Sequence, residues 1–172
     1  MSKRQWLIIG TAVVFLAAVA GAAFFHIRIG SAAGEGNAAG LPVEGNIRLV
    51  PVYNLQGQPM YVNASVTPLL FFATWCPHCQ AELPQVQTEL AAMRPQRPVV
   101  LVATFLRTSD TKEAIKEVQD FISKYHITMP VVIQAGPATE YVQKVPTLVW
   151  ADATVHQVDP TEANLKLAVS HG

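Results

Sequence analysis

Nearly continuous apolar runs recur along the chain from about residue 47, and they are separated by segments of mixed polarity. The runs at 69–73 and 99–105 contain almost no polar residue. Strands that are covered on both faces lack polar alternation, so these runs predict buried strands flanked by helices on both faces. Further strands are predicted from composition and turn signals at 47–54, 59–62, 130–134, 147–151 and 154–158.

Helical periodicity lies between the predicted strands. In the segment 111–125, Ile115, Val118, Phe121 and Ile122 recur at spacings that form one apolar stripe, and Asp110 or Thr111 can cap its start. Other helices are predicted at 77–93, 138–142 and 161–169. Strands that alternate with helices predict a layered α/β fold.

The N-terminal residues have a different character. Residues 6–25 form an apolar run whose only polar member is Thr11, and at 1.5 Å per residue it spans a hydrocarbon core of about 30 Å. Lys3 and Arg4 precede the run, which favours a chain that continues outside the cytoplasm. The small residues at 18–20 keep a cleaved secretory signal open as the alternative. We therefore interpret 1–28 as a membrane anchor or a signal, and either one exports the domain.

A segment rich in Gly, Ala, Ser and Asn follows at 29–45 and predicts a flexible linker. The folded domain is then predicted at 46–172, and it opens with a β-hairpin around a Gln56-Gly57 turn. The whole chain has 172 residues, with 12 basic and 12 acidic side chains and no net charge. Such a balance lacks the excess of basic side chains that is typical of proteins that bind nucleic acid.

Cys76 and Cys79 are the two cysteines of the chain, and they directly follow the apolar strand at 69–73. A pair three residues apart at the start of a helix can close and open a small disulfide loop, which indicates thiol–disulfide exchange. A zinc site would need two more ligands, and the remaining histidines show no paired spacing. Gln80 follows Cys79 where a c-type haem site would have histidine.

The motif Trp75-Cys76-Pro77-His78-Cys79, with Val145-Pro146-Thr147 leading into a later strand, resembles the thioredoxin superfamily. The opening hairpin and the apolar N-terminus narrow the resemblance to extracytoplasmic thiol–disulfide oxidoreductases of the TlpA/ResA type. Residues 72–76 and 79–84 are similar to the consensus of that group. The resemblance implies a thioredoxin-like fold with a central mixed β-sheet flanked by helices.

Roles for individual residues follow from the helix position and from the resemblance. Unpaired N–H groups at a helix N-terminus stabilise an anion, so Cys76 is expected to be the exposed nucleophilic thiolate and Cys79 the resolving thiol. The resemblance implies that Glu82 handles protons for the buried thiol and that Pro146 is a cis-proline beside the cysteines. The remaining expected site residues are Pro77 and His78, which tune the redox equilibrium, and the docking residues Trp75, Val145 and Thr147.

The direction of electron flow stays open at this point. A TlpA/ResA-type reductase takes electrons from a membrane partner and reduces proteins such as apocytochrome c, whereas the Pro77-His78 pair resembles the oxidant DsbA. Protein thiols and disulfides are the expected substrates, with no metal and no cofactor beyond the Cys76–Cys79 disulfide. A copper-binding module and a peroxide reductase are the remaining alternatives.

Overall fold

The computed structural model describes residues 47–170 of the chain. The predicted anchor or signal at 1–28 and the predicted linker at 29–45 lie outside the described residues. Within 47–170, none of the helices is long and apolar enough to cross a membrane.

A seven-stranded mixed sheet forms the centre of the domain. Its order is β2-β1-β5-β4-β3-β6-β7, and β1 and β2 form the antiparallel hairpin that the sequence predicts. Gly57 lies in the connecting turn at φ 78°, a backbone conformation that glycine adopts readily. The strands are β1 (Val50–Tyr53), β2 (Pro59–Val62), β3 (Leu69–Phe72), β4 (Val100–Ala103), β5 (Val131–Gln134), β6 (Thr147–Ala151) and β7 (Val155–Val158).

Three neighbouring strands of the sheet, β3, β4 and β5, run parallel. Their carboxyl ends therefore meet at one edge of the sheet, where chains leave the strands in loops. β6 lies antiparallel on the other side of β3, with Leu70 opposite Leu148. The residues before β6 consequently reach the same edge as the residues after β3.

Within residues 47–170 the three α-helices are α1 (Pro77–Met93), α2 (Thr111–Tyr125) and α3 (Glu162–Ser170). The predicted bounds of α1 and α2 are confirmed. Asp110 caps α2 as predicted, since its side chain accepts hydrogen bonds from the backbone N–H groups of Lys112 and Glu113. The short helix predicted at 138–142 is a 3₁₀ turn over Ala138–Glu140.

Successive residues of β3 point to opposite faces of the sheet, and the two faces have different coverings. Leu70 and Phe72 pack in a cluster with the buried residues of all three helices. Leu69 and Phe71 pack instead with residues of the opening segment 47–64 and with Tyr141 and Val142. The prediction of helices on both faces is therefore wrong for the described residues, because the buried cluster on the second face contains no residue of α1, α2 or α3.

Candidate active site

The chain passes from β3 into α1 through a tight turn that presents Cys76 at the helix start. The Cys76 N–H donates to the Ala73 carbonyl at 3.2 Å, and the Cys76 backbone is extended, with φ −74° and ψ 120°. Pro77 is the first helical residue, where its missing N–H group leaves no hydrogen bond unmade. Cys76 therefore occupies the capping position, with its thiol where a capping side chain normally stands.

Cys76 is more enclosed than the sequence indicates, because only 6% of its surface is exposed. Its Sγ lies 3.7 Å from the Val145 carbonyl oxygen, and the thiol can donate to that oxygen. The Val145–Pro146 peptide bond is cis, as the resemblance implies. The residues on either side of this bond thus border the small accessible surface of the nucleophile.

Cys79 lies one helical turn further on and is completely buried. Burial raises the pKa of the Cys79 thiol to about 12, and the neighbouring Cys76 and the negative charge of Glu82 contribute to the rise. A hydrogen bond involving the Ala73 backbone opposes it. Both cysteines are free thiols in this structure. The two thiols thus differ in access, and Cys79 strongly favours its protonated form.

We expect iodoacetamide to modify Cys76 of the reduced, folded protein and to leave Cys79 unmodified at pH 8. With a pKa of about 12, only about one Cys79 side chain in 10⁴ is thiolate at that pH, against about a quarter of an ordinary free cysteine. Peptide mass spectrometry locates the label, and the urea-unfolded protein serves as the control in which both cysteines react. Equal labelling of both cysteines in the folded protein would contradict this arrangement.

A groove of about 510 Å³ runs beside the cysteines and contains several of the expected site residues. His78 and Glu82 of α1 line it opposite Val145 and Pro146. Glu82 is half-buried and lies in the second turn of α1, and its carboxylate makes no hydrogen bond or ion pair with the described residues. The structure therefore brings the expected proton carrier and His78 to the same face as the cis-proline.

The three expected docking residues differ in how far their side chains are exposed. Trp75 is 42% exposed, and its indole N–H donates to the Phe105 carbonyl at 2.6 Å, which fixes the ring at the surface beside Cys76. Val145 is half-buried, whereas the Thr147 side chain is buried and donates to the Lys144 carbonyl. Trp75 and Val145 can therefore offer side chains to a docked protein, while Thr147 is available there only through its backbone.

Sequence reasoning missed the polar contacts that hold the turn before Trp75. The Thr74 hydroxyl donates to the Glu117 carboxylate, and the Gln80 side chain donates to the Thr74 carbonyl at 2.8 Å. Glu117 is half-buried beside Val118 of the apolar stripe of α2. The position of acidic Glu117 at the margin of an apolar helix face is the sequence signal that could have indicated a buried hydrogen-bond partner.

Residues 47–170 contain no group of three or more His, Cys, Asp and Glu side chains that could hold a metal ion.

Two curated bacterial proteins are similar to this chain in sequence. The sporulation thiol-disulfide oxidoreductase A of Bacillus subtilis is 38% identical over 69 residues, which are 40% of each chain. The thiol-disulfide oxidoreductase ResA of Oceanobacillus iheyensis is 33% identical over 104 residues, or 60% of this chain and 47% of the relative. The chain thus spans less than half the length of these relatives. No protein-family model matches it.

Solved structures extend the comparison to the fold. The thioredoxin domain of thiol-disulfide oxidoreductase BVU-2223 from Bacteroides vulgatus superposes with a TM-score of 0.53 at 15% identity, over 73% of this chain and 97% of that one. The domain has a thioredoxin-like fold. The structure of MTB dsbF agrees, with a TM-score of 0.52 at 22% identity over 73% of this chain and 95% of that one. In this thioredoxin-like domain, the cysteine pair lies at the carboxyl end of β3.

Proposed function

We propose that this thioredoxin-like domain is a thiol–disulfide oxidoreductase that acts on protein substrates through Cys76 and Cys79. The observation that carries the proposal is the asymmetry of the pair, since Cys76 at the start of α1 keeps 6% of its surface exposed whereas Cys79, one turn behind it, is fully buried. Only Cys76 keeps any surface that a protein substrate can reach. The buried Cys79 thiol can then attack the Cys76 sulfur of the mixed disulfide.

The reduction of a substrate disulfide proceeds in two exchanges. The Cys76 thiolate attacks one substrate sulfur, so a Cys76–substrate disulfide forms and the other substrate sulfur leaves as a thiolate. The Cys79 thiolate then attacks the Cys76 sulfur, which forms the Cys76–Cys79 disulfide and releases the second substrate thiolate. Two electrons pass from the pair to the substrate, and Cys79 loses its proton before the second exchange.

Glu82 is the residue that we propose as the acceptor of that proton. Its carboxylate is half-buried, lies near enough to Cys79 for its charge to contribute to the raised pKa of the thiol, and has no other hydrogen-bonding or ionic partner among residues 47–170. A thiol whose pKa is about 12 is almost never ionised at neutral pH. A nearby base therefore makes the second exchange faster, because it accepts the proton that Cys79 must lose before it attacks.

Replacing Glu82 with glutamine separates two roles of the carboxylate. Removing the negative charge lowers the pKa of Cys79, so a purely electrostatic Glu82 predicts faster release of the mixed disulfide. A proton acceptor predicts slower release, by about 10²-fold at pH 7. We expect the slower release, measured by acid quenching and mass spectrometry of the mixed disulfide.

Glu89→Gln is the matched control for this measurement, since Glu89 lines the same groove but makes no contribution to the Cys79 pKa. The control is expected to release substrate at the wild-type rate. A rate that is unchanged or higher in Glu82→Gln would contradict the proton-acceptor role.

We further propose that the domain works outside the cytoplasm, tethered to the cell membrane, as a reductase of the cytochrome c biogenesis type. The apolar run at 6–25 and the sequence similarity to the two named oxidoreductases support this proposal. A membrane electron-transfer partner would then re-reduce the Cys76–Cys79 disulfide. If the N-terminal run is cleaved, the domain is secreted instead.

The alternative direction is oxidation or isomerisation of disulfides in folding proteins. The observation that favours it is the Pro77-His78 pair between the cysteines, with His78 exposed on the groove beside Glu82. A histidine there can stabilise the reduced form and make the disulfide more oxidising. The proposed tuning by His78 stays a prediction, since its ring makes no hydrogen bond with the described residues.

The turnover of insulin disulfides with dithiothreitol as electron donor tests the proposed activity of the full chain. We expect catalysis well above the rate with dithiothreitol alone. Turnover no faster than that background would contradict the activity itself.

A further inference from the structure

The two residues before Cys76 are each tied to another segment of the domain. The Thr74 carbonyl accepts a hydrogen bond from the side-chain amide of Gln80 in α1. The Trp75 indole N–H donates to the carbonyl of Phe105, which lies in the loop after β4. These contacts fix the path by which the chain leaves β3 and enters α1.

A carboxylate of α2 supplies a further contact to the same turn. Thr74 is 8% exposed, and its hydroxyl donates to the Glu117 carboxylate. An ionised carboxylate can only accept hydrogen bonds, and a bond to a charged acceptor is stronger than one between neutral groups. Glu117 forms no ion pair with any residue of 47–170, so within that range the Thr74 hydroxyl is the partner that the structure gives it.

The packing of α2 brings Glu117 to this turn. Val118, the next residue, is fully buried, and Phe121 packs on Phe72 of β3 with the ring centroids 5.1 Å apart. These apolar contacts hold α2 against the strand that leads into the turn. Glu117 lies half-buried at the margin of that apolar face, where its carboxylate can reach Thr74.

The turn that Glu117 contacts ends at the nucleophile. Thr74 lies two residues before Cys76, whose Sγ is 3.7 Å from the Val145 carbonyl oxygen. Because so short a segment joins them, a displacement of Thr74 moves the sulfur relative to the start of α1 and to Val145. A misplacement of about 1 Å in the reacting group can cost about 10²-fold in rate.

We propose that Glu117 is a positioning residue for the first exchange and that it acts through the Thr74 hydroxyl. In that exchange a bond forms between the Cys76 sulfur and one substrate sulfur, the substrate disulfide breaks, and its other sulfur leaves as a thiolate. Glu117 neither gives nor takes a proton in this step. The inference rests on the proposed function, in which Cys76 is the attacking thiol.

A direct contact with the substrate is the alternative role for Glu117. Together with Trp75 it lines a surface cleft of about 320 Å³, so a docked protein could touch its side chain. The two roles differ in how they depend on the size of the substrate. Positioning affects every disulfide that Cys76 attacks, whereas a docking contact affects only a substrate large enough to occupy the cleft.

The test isolates the first exchange in a Cys79→Ser background, where the mixed disulfide accumulates. Its formation from bis(2-hydroxyethyl) disulfide and from insulin is followed by acid quenching and mass spectrometry. We expect Glu117→Ala to lower the rate constant about tenfold with both substrates. A loss with insulin alone would assign Glu117 to docking and overturn the positioning role, and unchanged rates with both substrates would overturn it as well.

Conservative variants show whether the hydrogen bond carries the effect. Glu117→Gln keeps an oxygen that can accept from Thr74, and Thr74→Ser keeps the hydroxyl, so both should react within about threefold of the Cys79→Ser parent. Thr74→Val should lose as much as Glu117→Ala. Combining these two changes should cost no more than either alone, because both remove the same contact. Losses that add would contradict the route through Thr74.

Glu113→Ala is the matched control. Glu113 is also a residue of α2, and its carboxylate also accepts from a threonine hydroxyl, that of Thr108 at 2.8 Å, which lies outside the cysteine turn. The control should react at the parent rate. A merely structural Glu117 would lower the melting temperature without changing the rate of the folded protein, so both quantities are measured well below the transition. Equal rate losses in Glu113→Ala and Glu117→Ala would contradict the proposal.

The indole N–H resonance of Trp75 reports on the turn without any reaction, and its absence in Trp75→Phe identifies it. We expect Glu117→Ala to shift this NMR signal and Glu113→Ala to leave it in place. An unchanged signal in Glu117→Ala would contradict the proposed route. Insulin turnover by the wild-type chain tests the proposed function by itself, because a failure of the positioning role leaves that turnover intact.

Discussion

Replacing Cys76 with serine is expected to lower the turnover of insulin disulfides to the uncatalysed rate, a loss of at least about 10³-fold. A hydroxyl is not ionised at neutral pH and does not form the mixed disulfide, so the first exchange cannot begin. The catalysed rate above the dithiothreitol background measures the effect. Turnover retained by Cys76→Ser would contradict its role as the nucleophile.

Cys79→Ser is the matched variant, because it removes a sulfur from the same pair but leaves the surface thiol. We expect this variant to accumulate a disulfide between Cys76 and the substrate, since no second thiol is available to release it. Mass spectrometry of the acid-quenched mixture detects the adduct, and Cys76→Ser should form none. An adduct in neither variant would contradict the order of the two exchanges.

Shortening Leu83 to alanine is expected to lower the free energy of unfolding of the reduced protein by about 2 to 5 kcal/mol. Leu83 is fully buried on the face of α1 that carries Cys79, and it packs in the cluster under the sheet. Its loss leaves a cavity that the surrounding side chains fill only in part. Urea unfolding in the presence of dithiothreitol gives the change in free energy.

Leu167→Ala is the control for that measurement. Leu167 is also a helical leucine, but 49% of its surface is exposed, so the same truncation removes little buried area. We expect a loss of less than about 1 kcal/mol. Similar losses in the two variants would contradict the assignment of Leu83 to the core.

The predicted helix boundaries were accurate where local residues, such as a capping side chain or a proline, mark the beginning of a helix. Pro77 is of a residue type favoured at the first position of a helix, and Asp110 caps the next helix, so both boundaries could be located without tertiary information. The strand predicted at 99–105 ends earlier, at Ala103. Phe105 is apolar like the strand residues before it, and its left-handed backbone has no signature in the hydrophobic pattern.

Continuous apolar runs indicate that a strand is buried on both faces, but they do not say what covers each face. Leu69 and Phe71 share a buried cluster with residues of the opening segment and with Tyr141 and Val142, and this cluster contains no residue of α1, α2 or α3. That arrangement depends on β1 pairing with β5, which is distant in sequence. Long-range pairing of this kind cannot be deduced from local periodicity.

The candidate site was predictable where spacing alone defines it, as it does for Cys76 and Cys79. The enclosure of Cys76 could not be predicted from spacing, because the Val145 carbonyl beside it comes from a distant segment of the chain. Glu117 was missed for a related reason. It is a single polar residue at the margin of an apolar helix face, and its partner Thr74 becomes visible only in three dimensions.

Cys76 and Cys79 are proposed to form a reducing dithiol, and the equilibrium reduction potential of the pair tests this role most directly. The full chain is equilibrated in glutathione redox buffers, alkylated under acid quench and weighed by mass spectrometry. We predict that both thiols are lost together in a two-electron transition with a potential below about −240 mV. A potential above about −180 mV, or oxidation without a Cys76–Cys79 disulfide, would contradict the reductase.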